Sequence, residues 1–286
     1  MTCASKLRAW LRIIRPINCF MSGLAVIVAV LIAQRGLPSM NIMYKVLLGF
    51  VTGFTITASS MIVNDYIDRE IDAINDPTRP IPSGAISPGQ ALHAAILLGL
   101  IGVIASALTS LPCLIIAIAA WTLAVIYNAW GKRTGLPGNL MVSTCVSVPF
   151  IYGGALVERL DLFLLLFIAM AFLANTGREI TKGIVDVAGD LTKGIKTLAI
   201  VKGESYAARI ASIFYISAVA LSPLPVLLGV VSLWYVPLVL ITDIGLIKAS
   251  LDIVEKPTRD VARRVKKRVL LWMLIGLIAF AAGTFS

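Results

Sequence analysis

Two groups of acidic and amide side chains stand where long apolar runs of this chain end. Asn64, Asp68 and Asp72 are spaced four apart, and Asp186 and Asp190 repeat that spacing further along. Residues four apart lie on one face of a helix, so each group forms an oxygen-rich stripe. Carboxylate and amide oxygens are ligands that Mg²⁺ prefers, with water and phosphate oxygens completing the coordination. We therefore predict that the two stripes hold about two Mg²⁺ ions and, through them, one diphosphate.

The competing interpretation is that these residues are solvated helix ends. A single Asp at a helix end is commonplace, but repeated carboxylates beside lipid are costly and usually functional. Two matched groups at the ends of different apolar runs therefore favour a binding site.

Basic side chains accompany both stripes. Arg178 and Lys182 precede the second stripe, Lys132 follows the fourth apolar run, and Arg15 precedes the first run. Arg and Lys can bind phosphate oxygens that a metal does not hold. Membrane topology alone would also place basic residues here, so the role of each one stays open. Other basic residues near the same run ends are Arg12, Arg133, Lys193 and Lys196.

An apolar cavity with a diphosphate at its mouth indicates chemistry on a prenyl diphosphate. Its tail would lie among helices, and a dry pocket would protect the carbocation formed when the allylic C–O bond breaks. The ring of Tyr127 is a candidate to stabilise that cation through cation–π attraction, although an interfacial aromatic role is an equal alternative. Its neighbour Asn128 could bind either substrate.

The elements that position these residues are membrane-spanning helices. Hydrophobic residues make up 58% of the chain and charged residues 14%, and several apolar runs reach the roughly 20 residues that a spanning helix needs. Backbone groups in lipid must bond internally, which predicts an all-α polytopic fold in one domain, 1–286. We predict nine transmembrane helices in one bundle, at about 17–34, 44–63, 91–109, 112–130, 138–156, 161–180, 206–222, 224–246 and 269–285.

The distribution of basic residues predicts the orientation. With the N-terminus in the cytoplasm, all but three of the 25 Lys and Arg residues fall on the cytoplasmic side, the exceptions being Arg35, Lys45 and Arg159. This asymmetry places the N-terminus and the active site in the cytoplasm and the C-terminus outside the cell membrane. The net charge of +10 then reflects topology and attraction to anionic membrane lipids, not nucleic acid.

In its motifs the chain resembles the UbiA superfamily of intramembrane prenyltransferases. The resemblance covers nearly the whole chain. It is carried by Arg15-Pro16, Asn64-Asp65-x-x-Asp68-x-x-x-Asp72, Asn75-Asp76-x-x-x-Arg79-Pro80, Tyr127-Asn128-x-x-Gly131-Lys132-Arg133 and Arg178-Glu179-x-x-Lys182-x-x-x-Asp186-x-x-x-Asp190.

The resemblance implies a nine-helix bundle with a cytoplasmic-side polar cap and Mg²⁺-dependent prenyl transfer. By position, Asn64 and Asp68 would bind one ion, and Asp186 and Asp190 the other. Asp72 would shape the site, and Lys132 with Arg178 or Lys182 would hold the diphosphate. The candidate catalytic residues are therefore Asp68, Asp72, Asp190 and Tyr127, and the candidate substrate-binding residues are Arg15, Asn128, Lys132, Arg178 and Lys182.

Within that family, the short N-terminus, the compact loops and the run Arg178-Glu179-Ile180-x-Lys182 are most similar to the archaeal ether-lipid branch. That branch transfers a geranylgeranyl group from its diphosphate to geranylgeranylglyceryl phosphate. Extra acids that often occur in its second motif are replaced here by Gly183, Val185 and Ala188, which leaves the acceptor open. An aromatic acceptor such as a hydroxybenzoate or quinone precursor is the alternative, and haem farnesylation ranks third.

A different class, the cation-coupled membrane transporter, also uses acids within the membrane. Transporters bind their substrates near the bilayer midplane at broken helices, whereas the acids here stand at span ends. A purely structural membrane protein would leave both stripes without a purpose. The sequence therefore favours an enzyme.

Overall fold

The computed structural model of the protein describes residues 3–192 and 194–285, without the side chains of Cys3, Ala4, Asn75 and Thr192. Lys193, one of the predicted basic neighbours of the second stripe, lies outside the described residues, as does the side chain of Asn75. Within those ranges the chain is all-helical, as predicted, and contains no strand.

The helices follow one another with short connections. Their bounds are α1 (Cys3–Ile14), α2 (Pro16–Gln34), α3 (Met43–Asn75), α4 (Pro88–Ala107), α5 (Leu111–Ala129), α6 (Leu136–Leu156), α7 (Leu162–Val185), α8 (Val187–Thr192), α9 (Leu198–Lys202), α10 (Glu204–Leu221), α11 (Leu224–Leu227), α12 (Tyr235–Glu255) and α13 (Arg259–Ala282). Single 3₁₀ turns precede α3, at Met40–Ile42, and follow α5, at Gly131–Thr134.

The long helices form a closed ring. In the order α2, α3, α4, α5, α6, α7, α10, α12 and α13, each packs against the next, and α13 returns to contact α2. The ring surrounds a cavity, so residues far apart in sequence face one another across it.

Seven helices are long and apolar enough to cross a membrane, by length and composition: α2 to α7, and α10 continuing into α11. The predicted count of nine is not confirmed by this criterion. The predicted eighth and ninth spans correspond to α12 and α13, which complete the ring but carry more charge. Within α12 these charged residues are Asp243, Lys248, Asp252 and Glu255, and most of the first ten residues of α13 are charged.

The predicted bounds of the last two spans were wrong. The expected span 224–246 contains the single turn α11 and a break before α12 begins at Tyr235, because Gly229 has a φ of 65° that interrupts helical geometry. The expected span 269–285 is the apolar part of α13, which begins at Arg259. Hydropathy marks only the part of a helix that suits lipid, so charged turns beyond it are missed.

Local sequence explains the helix starts nearest the site. Arg15 lies between α1 and α2 in a left-handed conformation, with φ of 55°, and Pro16 opens α2. Ser87 and Gln90 form a reciprocal capping box that begins α4 at Pro88, three residues before the predicted span at 91–109.

Helix α1 is amphipathic and docks on the ring through one face. Ala9 and Ile13 are buried against Ile62 of α3 and Ile86 of the loop that follows α3. Arg12 donates to the Thr78 backbone oxygen at 2.6 Å. The helix therefore holds the loop between α3 and α4 close to the end of α3.

Candidate active site

The ring encloses one large cavity of about 780 Å³. Side chains from every long helix of the ring except α4 line it. Most of its wall is apolar, but the end where α3 and α7 terminate is polar. We call that end the polar mouth and define it by Asn64, Asp65, Arg79, Lys182 and Asp186, which all line the cavity. An apolar chamber with a charged opening suits a ligand with a hydrocarbon tail and an anionic head.

The cavity brings most of the predicted site residues together. Asn64 from the first stripe and Asp186 from the second both line it, although they are far apart in sequence. The other predicted residues on the wall are Arg15, Tyr127, Asn128, Arg178 and Lys182. Asp68, Asp72, Lys132 and Asp190 are not among the lining residues, and lie behind or beside the wall in this conformation.

The carboxylates near the end of α3 are ion-paired within the protein. Asp65 accepts hydrogen bonds from Arg15 at 2.7 Å and Arg79 at 3.3 Å. Asp72 accepts one from Arg79 at 2.7 Å. Both carboxylates are buried, so each needs such a partner. Arg15 and Arg79 therefore fix the geometry of the first stripe.

Asp68, the central member of the first stripe, has a partner from the turn after α5. The Lys132 ammonium lies 2.5 Å from its Oδ1, and both side chains are mostly buried. The cation of Lys132 neutralises Asp68 and brings a basic group to the level where phosphate oxygens would lie.

Asn64 is oriented by the neighbouring helix α5. Its amide nitrogen donates to Asn128 Oδ1 at 2.8 Å, and Asn128 in turn donates to the Ser60 backbone oxygen at 3.4 Å. This bond uses the nitrogen of Asn64 and leaves its carbonyl oxygen available to a cation. Asn128 is thus a positioning group for the first stripe.

On the opposite wall, α7 carries a compact charged cluster. Glu179 is buried and accepts hydrogen bonds from Arg178 at 2.8 Å and Lys182 at 3.1 Å. Both carboxylate oxygens are therefore used, and the two cations are fixed beside the cavity. One turn later Asp186 ends the helix.

The polar mouth fits a magnesium ion that is shared with a phosphate ligand. Among the described residues, no three His, Cys, Asp or Glu side chains come close enough to hold a metal by themselves. Mg²⁺ usually binds through one or two carboxylates plus water and substrate phosphates, not in an all-protein cage. The oxygens of Asn64 and Asp186, both on the cavity wall, match that chemistry.

The loop after α3 is fastened by Asp76. The Thr78 hydroxyl donates to its carboxylate, and Arg12 approaches it at 3.2 Å. The hydrogen bond from Thr78 and the nearby Arg12 charge hold the pKa of Asp76 below its usual value. The contact with Arg12 is therefore present at neutral pH and is lost only as the pH falls through that lowered pKa.

A second polar spot lies deep in the cavity, far from the mouth. The Ser222 hydroxyl, just beyond α10, donates to Asp243 Oδ2 at 2.6 Å, and both residues line the cavity. Val239 and Phe280 also line the cavity, so the pair is a polar spot within a mostly apolar wall.

Three functional candidates were not assigned from the sequence: Asp65, Arg79 and Lys266. Arg79 stood inside a motif without a role, and Asp65 is off the four-residue stripe. Lys266 lies in the basic run at the start of α13, where topology explains the charges. Helical spacing could have indicated Lys266, because residues three or four apart share one face of a helix. Lys266 follows buried Ala262 by four residues and precedes buried Val269 by three, so it lies on the same face as both.

Comparisons with known proteins identify the family of this chain. Residues 22–283 match the model of the UbiA prenyltransferase family, so the chain belongs to that family. A digeranylgeranylglyceryl phosphate synthase of Methanopyrus kandleri is 40% identical over 97% of this chain and 99% of its own length.

Solved structures share the fold. A structure of a digeranylgeranylglyceryl phosphate synthase in membranes superposes with a TM-score of 0.77 at 31% identity, covering 98% of each chain. A UbiA homologue from Archaeoglobus fulgidus, bound to GPP and Mg²⁺, gives a TM-score of 0.67 at 15% identity, over 96% of this chain and 99% of that one. The present chain is thus an intramembrane prenyltransferase and a multi-pass membrane protein.

Proposed function

We propose that this protein transfers a geranylgeranyl group from geranylgeranyl diphosphate to geranylgeranylglyceryl phosphate in archaeal membrane ether-lipid synthesis. The observation that carries the proposal is the large cavity whose wall is mostly apolar and whose polar mouth includes Asn64 and Asp186. The near full-length similarity to digeranylgeranylglyceryl phosphate synthases supports this pair of substrates.

The proposed metal ligands are Asn64 and Asp68 for one ion and Asp186 and Asp190 for another, about two ions in all. When bound, Mg²⁺ neutralises charge on the diphosphate and makes it a better leaving group. Asp72 supports the first stripe through Arg79. Arg15 supports it through Asp65.

The protein's own groups then bind and shield the reacting atoms. Lys132 binds phosphate oxygens of the donor, Arg178 and Lys182 supply further phosphate-binding groups on the α7 side of the mouth, and the apolar wall holds the prenyl tail and excludes water. The allylic C–O bond to the diphosphate breaks, and the Tyr127 ring stabilises the resulting positive charge. The acceptor hydroxyl oxygen then forms the new ether bond, and its proton leaves to the released diphosphate or to water.

We further propose that α12 and α13 complete nine membrane spans, with the N-terminus and the polar mouth in the cytoplasm and the C-terminus outside. The closed ring supports this, because α12 and α13 pack beside helices that qualify as spans. The basic residues at the start of α13 would then lie on the cytoplasmic side.

Product mass spectrometry tests the proposed function. The purified protein with Mg²⁺ and geranylgeranyl diphosphate is offered geranylgeranylglyceryl phosphate, 4-hydroxybenzoate or haem. We expect a product mass from the lipid acceptor alone, and none after chelation of the metal. The double variant Asp68→Ala/Asp190→Ala should be inactive.

The matched control is Asp252→Ala/Asp260→Ala, which removes two carboxylates of α12 and α13 that do not line the cavity. It should keep full activity. Turnover that survives chelation, or full activity of the Asp68→Ala/Asp190→Ala variant, would overturn the proposal. Counterflow of a polar solute that depends on Asp68 would favour a transporter instead.

A further inference from the structure

One side of the polar mouth carries more positive charge than the protein neutralises. Arg178 and Lys182 on α7 and Lys266 on α13 all line the cavity beside Glu179. Both oxygens of Glu179 are taken, by Arg178 and Lys182. Lys266 is within electrostatic range of all three, yet it forms no hydrogen bond or ion pair with the part of the chain that the structure describes.

The α3 side of the mouth is different. There, Arg15, Arg79 and Lys132 are each paired with a carboxylate of α3 at 2.5 to 3.3 Å. The surplus of positive charge is therefore on the α7–α13 side. Asp186 is the other acid near Lys266, and in the proposed function its oxygens are engaged by metal.

The amount of positive charge that remains unneutralised indicates which chemical group could bind there. Three cations stand beside two acids, Glu179 and Asp186. With the oxygens of Asp186 engaged by metal, as in the proposed function, about two positive charges remain, and a phosphate monoester carries about −1.5 to −2 at neutral pH. Lys is a compact charge with three donors that suits a phosphate oxygen. Lys266 projects from a different helix than Arg178 and Lys182, so the three can surround one phosphate.

We propose that Lys266, with Arg178 and Lys182 held beside it by Glu179, binds the phosphate group of the acceptor lipid. This inference rests on the proposed function, in which the acceptor is a glycerol phosphate ether and the donor diphosphate occupies the metal stripes. No bond is made or broken at the acceptor phosphate. Lys266 is thus a specificity-determining residue that selects the phosphorylated acceptor over the neutral alcohol.

Acceptor kinetics test the role of Lys266. The variant Lys266→Gln is compared with Lys267→Gln, which removes the same charge from the next residue of α13, an exposed position outside the cavity wall. The acceptors are geranylgeranylglyceryl phosphate and the uncharged geranylgeranylglycerol. We expect Lys266→Gln to raise KM for the phosphorylated acceptor by about 10- to 100-fold, the effect of losing one hydrogen bond to a charged group.

The same variant should leave KM for geranylgeranyl diphosphate and kcat/KM for the uncharged acceptor nearly unchanged. Lys267→Gln should match the wild type throughout, and Lys266→Arg should restore most of the preference for phosphate. A higher donor KM in Lys266→Gln would assign Lys266 to the diphosphate and overturn the inference. Equal use of both acceptors by the wild type would overturn it too.

A binding measurement separates this inference from the proposed function. Geranylgeranylglyceryl phosphate is added to the purified protein in chelator, without donor, and the rise in the thermal unfolding midpoint is recorded. The rise should occur in the wild type and Lys267→Gln and be lost in Lys266→Gln. If the wild type binds this lipid through Lys266 but forms no product, the proposed function fails and the phosphate site stands. If product forms but the two Gln variants behave alike, the phosphate site is overturned.

Discussion

Arg79 joins two buried carboxylates at the end of α3. It donates to Asp72 at 2.7 Å and to Asp65 Oδ1 at 3.3 Å, and Arg15 donates to the same Asp65 oxygen at 2.7 Å. Losing one partner of a buried pair leaves an uncompensated charge, which costs more than the pair contributes. The paired acids of α3 are therefore as much a structural unit as a source of metal ligands.

We expect Arg79→Gln to destabilise the protein by about 1–3 kcal/mol, because Asp72 is left buried without its donor. The matched control is Arg69→Gln, since Arg69 has no buried acid as partner among the described residues: it bonds a carbonyl of its own helix and the exposed Glu70, and lies over the Tyr66 ring at 4.7 Å. That change should cost no more than about 0.5–1 kcal/mol. Thermal unfolding midpoints in one detergent check both variants. Equal midpoints for the two would show that the Arg79 bridge contributes nothing.

Two substitutions of Tyr127 distinguish a role of its ring from a role of its hydroxyl group. The residue lines the cavity, and a cation–π contact depends on the ring face. We expect Tyr127→Phe to keep kcat within a few-fold and Tyr127→Leu to lower it by about 3- to 30-fold, the value of one such contact. Single-turnover rates with saturating donor measure this. A loss in Tyr127→Phe as large as in Tyr127→Leu would assign the role to the hydroxyl.

The sequence predicted which site residues belong together only where their spacing along a helix indicated a shared face. Residues four apart on one helix were readable, which is why Asn64 was grouped with Asp68 and Asp186 with Asp190. Pairing between helices was not readable, because nothing in the sequence shows that Arg15 reaches Asp65 or that Lys132 reaches Asp68. Lys266 was missed for another reason: the preference of Lys and Arg for the cytoplasmic side of the membrane already explained a basic residue at this position.

The contacts between ring helices depend on glycines at the crossings. A Cβ on Gly153 of α6 would lie 2.6 Å from the Val26 backbone oxygen of α2, and a backbone atom cannot move aside without shifting the helix. Small residues that permit such close approach are typical of membrane helix interfaces. The wall of the cavity formed by α2 therefore depends on Gly153.

We expect Gly153→Ala to lower stability by about 1–3 kcal/mol, the usual cost of overpacking. The control is Gly89→Ala near the start of α4, where a Cβ meets nothing within 4 Å and alanine is the better helix former. The thermal unfolding midpoints of the two variants measure this difference in stability. A Gly153→Ala protein as stable as Gly89→Ala would mean that α2 and α6 can separate freely.

At the scale of elements, the sequence predicted where helices exist better than where they end. The span predicted to begin at residue 91 starts three residues earlier, where Ser87 and Gln90 cap α4. Apolar composition did not predict where α12 ends or where α13 begins. Helix α12 continues past the predicted end through Lys248 and Asp252, and α13 begins with charged residues. Charged side chains are compatible with helix outside lipid, so hydropathy alone cannot locate such ends.

For the whole molecule, the proposed nine spans predict the side on which the connection between α12 and α13 lies. In a Cys3→Ser background, we expect Lys256→Cys in this connection to react with a membrane-impermeant maleimide in inside-out vesicles only. Leu37→Cys, in the connection after α2, should react in right-side-out vesicles only. If Lys256→Cys is labelled from the outside, α12 does not cross and the seven-span count is correct.

The Asp243 and Ser222 pair on the cavity wall has a consequence for where a substrate tail can lie. Each further methylene of an isoprenoid gains about 0.8 kcal/mol while it stays in apolar surroundings. That gain stops where the hydrocarbon would press against the Asp243 and Ser222 pair, since crowding a polar pair with hydrocarbon is unfavourable. A prenyl tail in the cavity should therefore run along the apolar side chains of the wall and keep clear of this acid and alcohol.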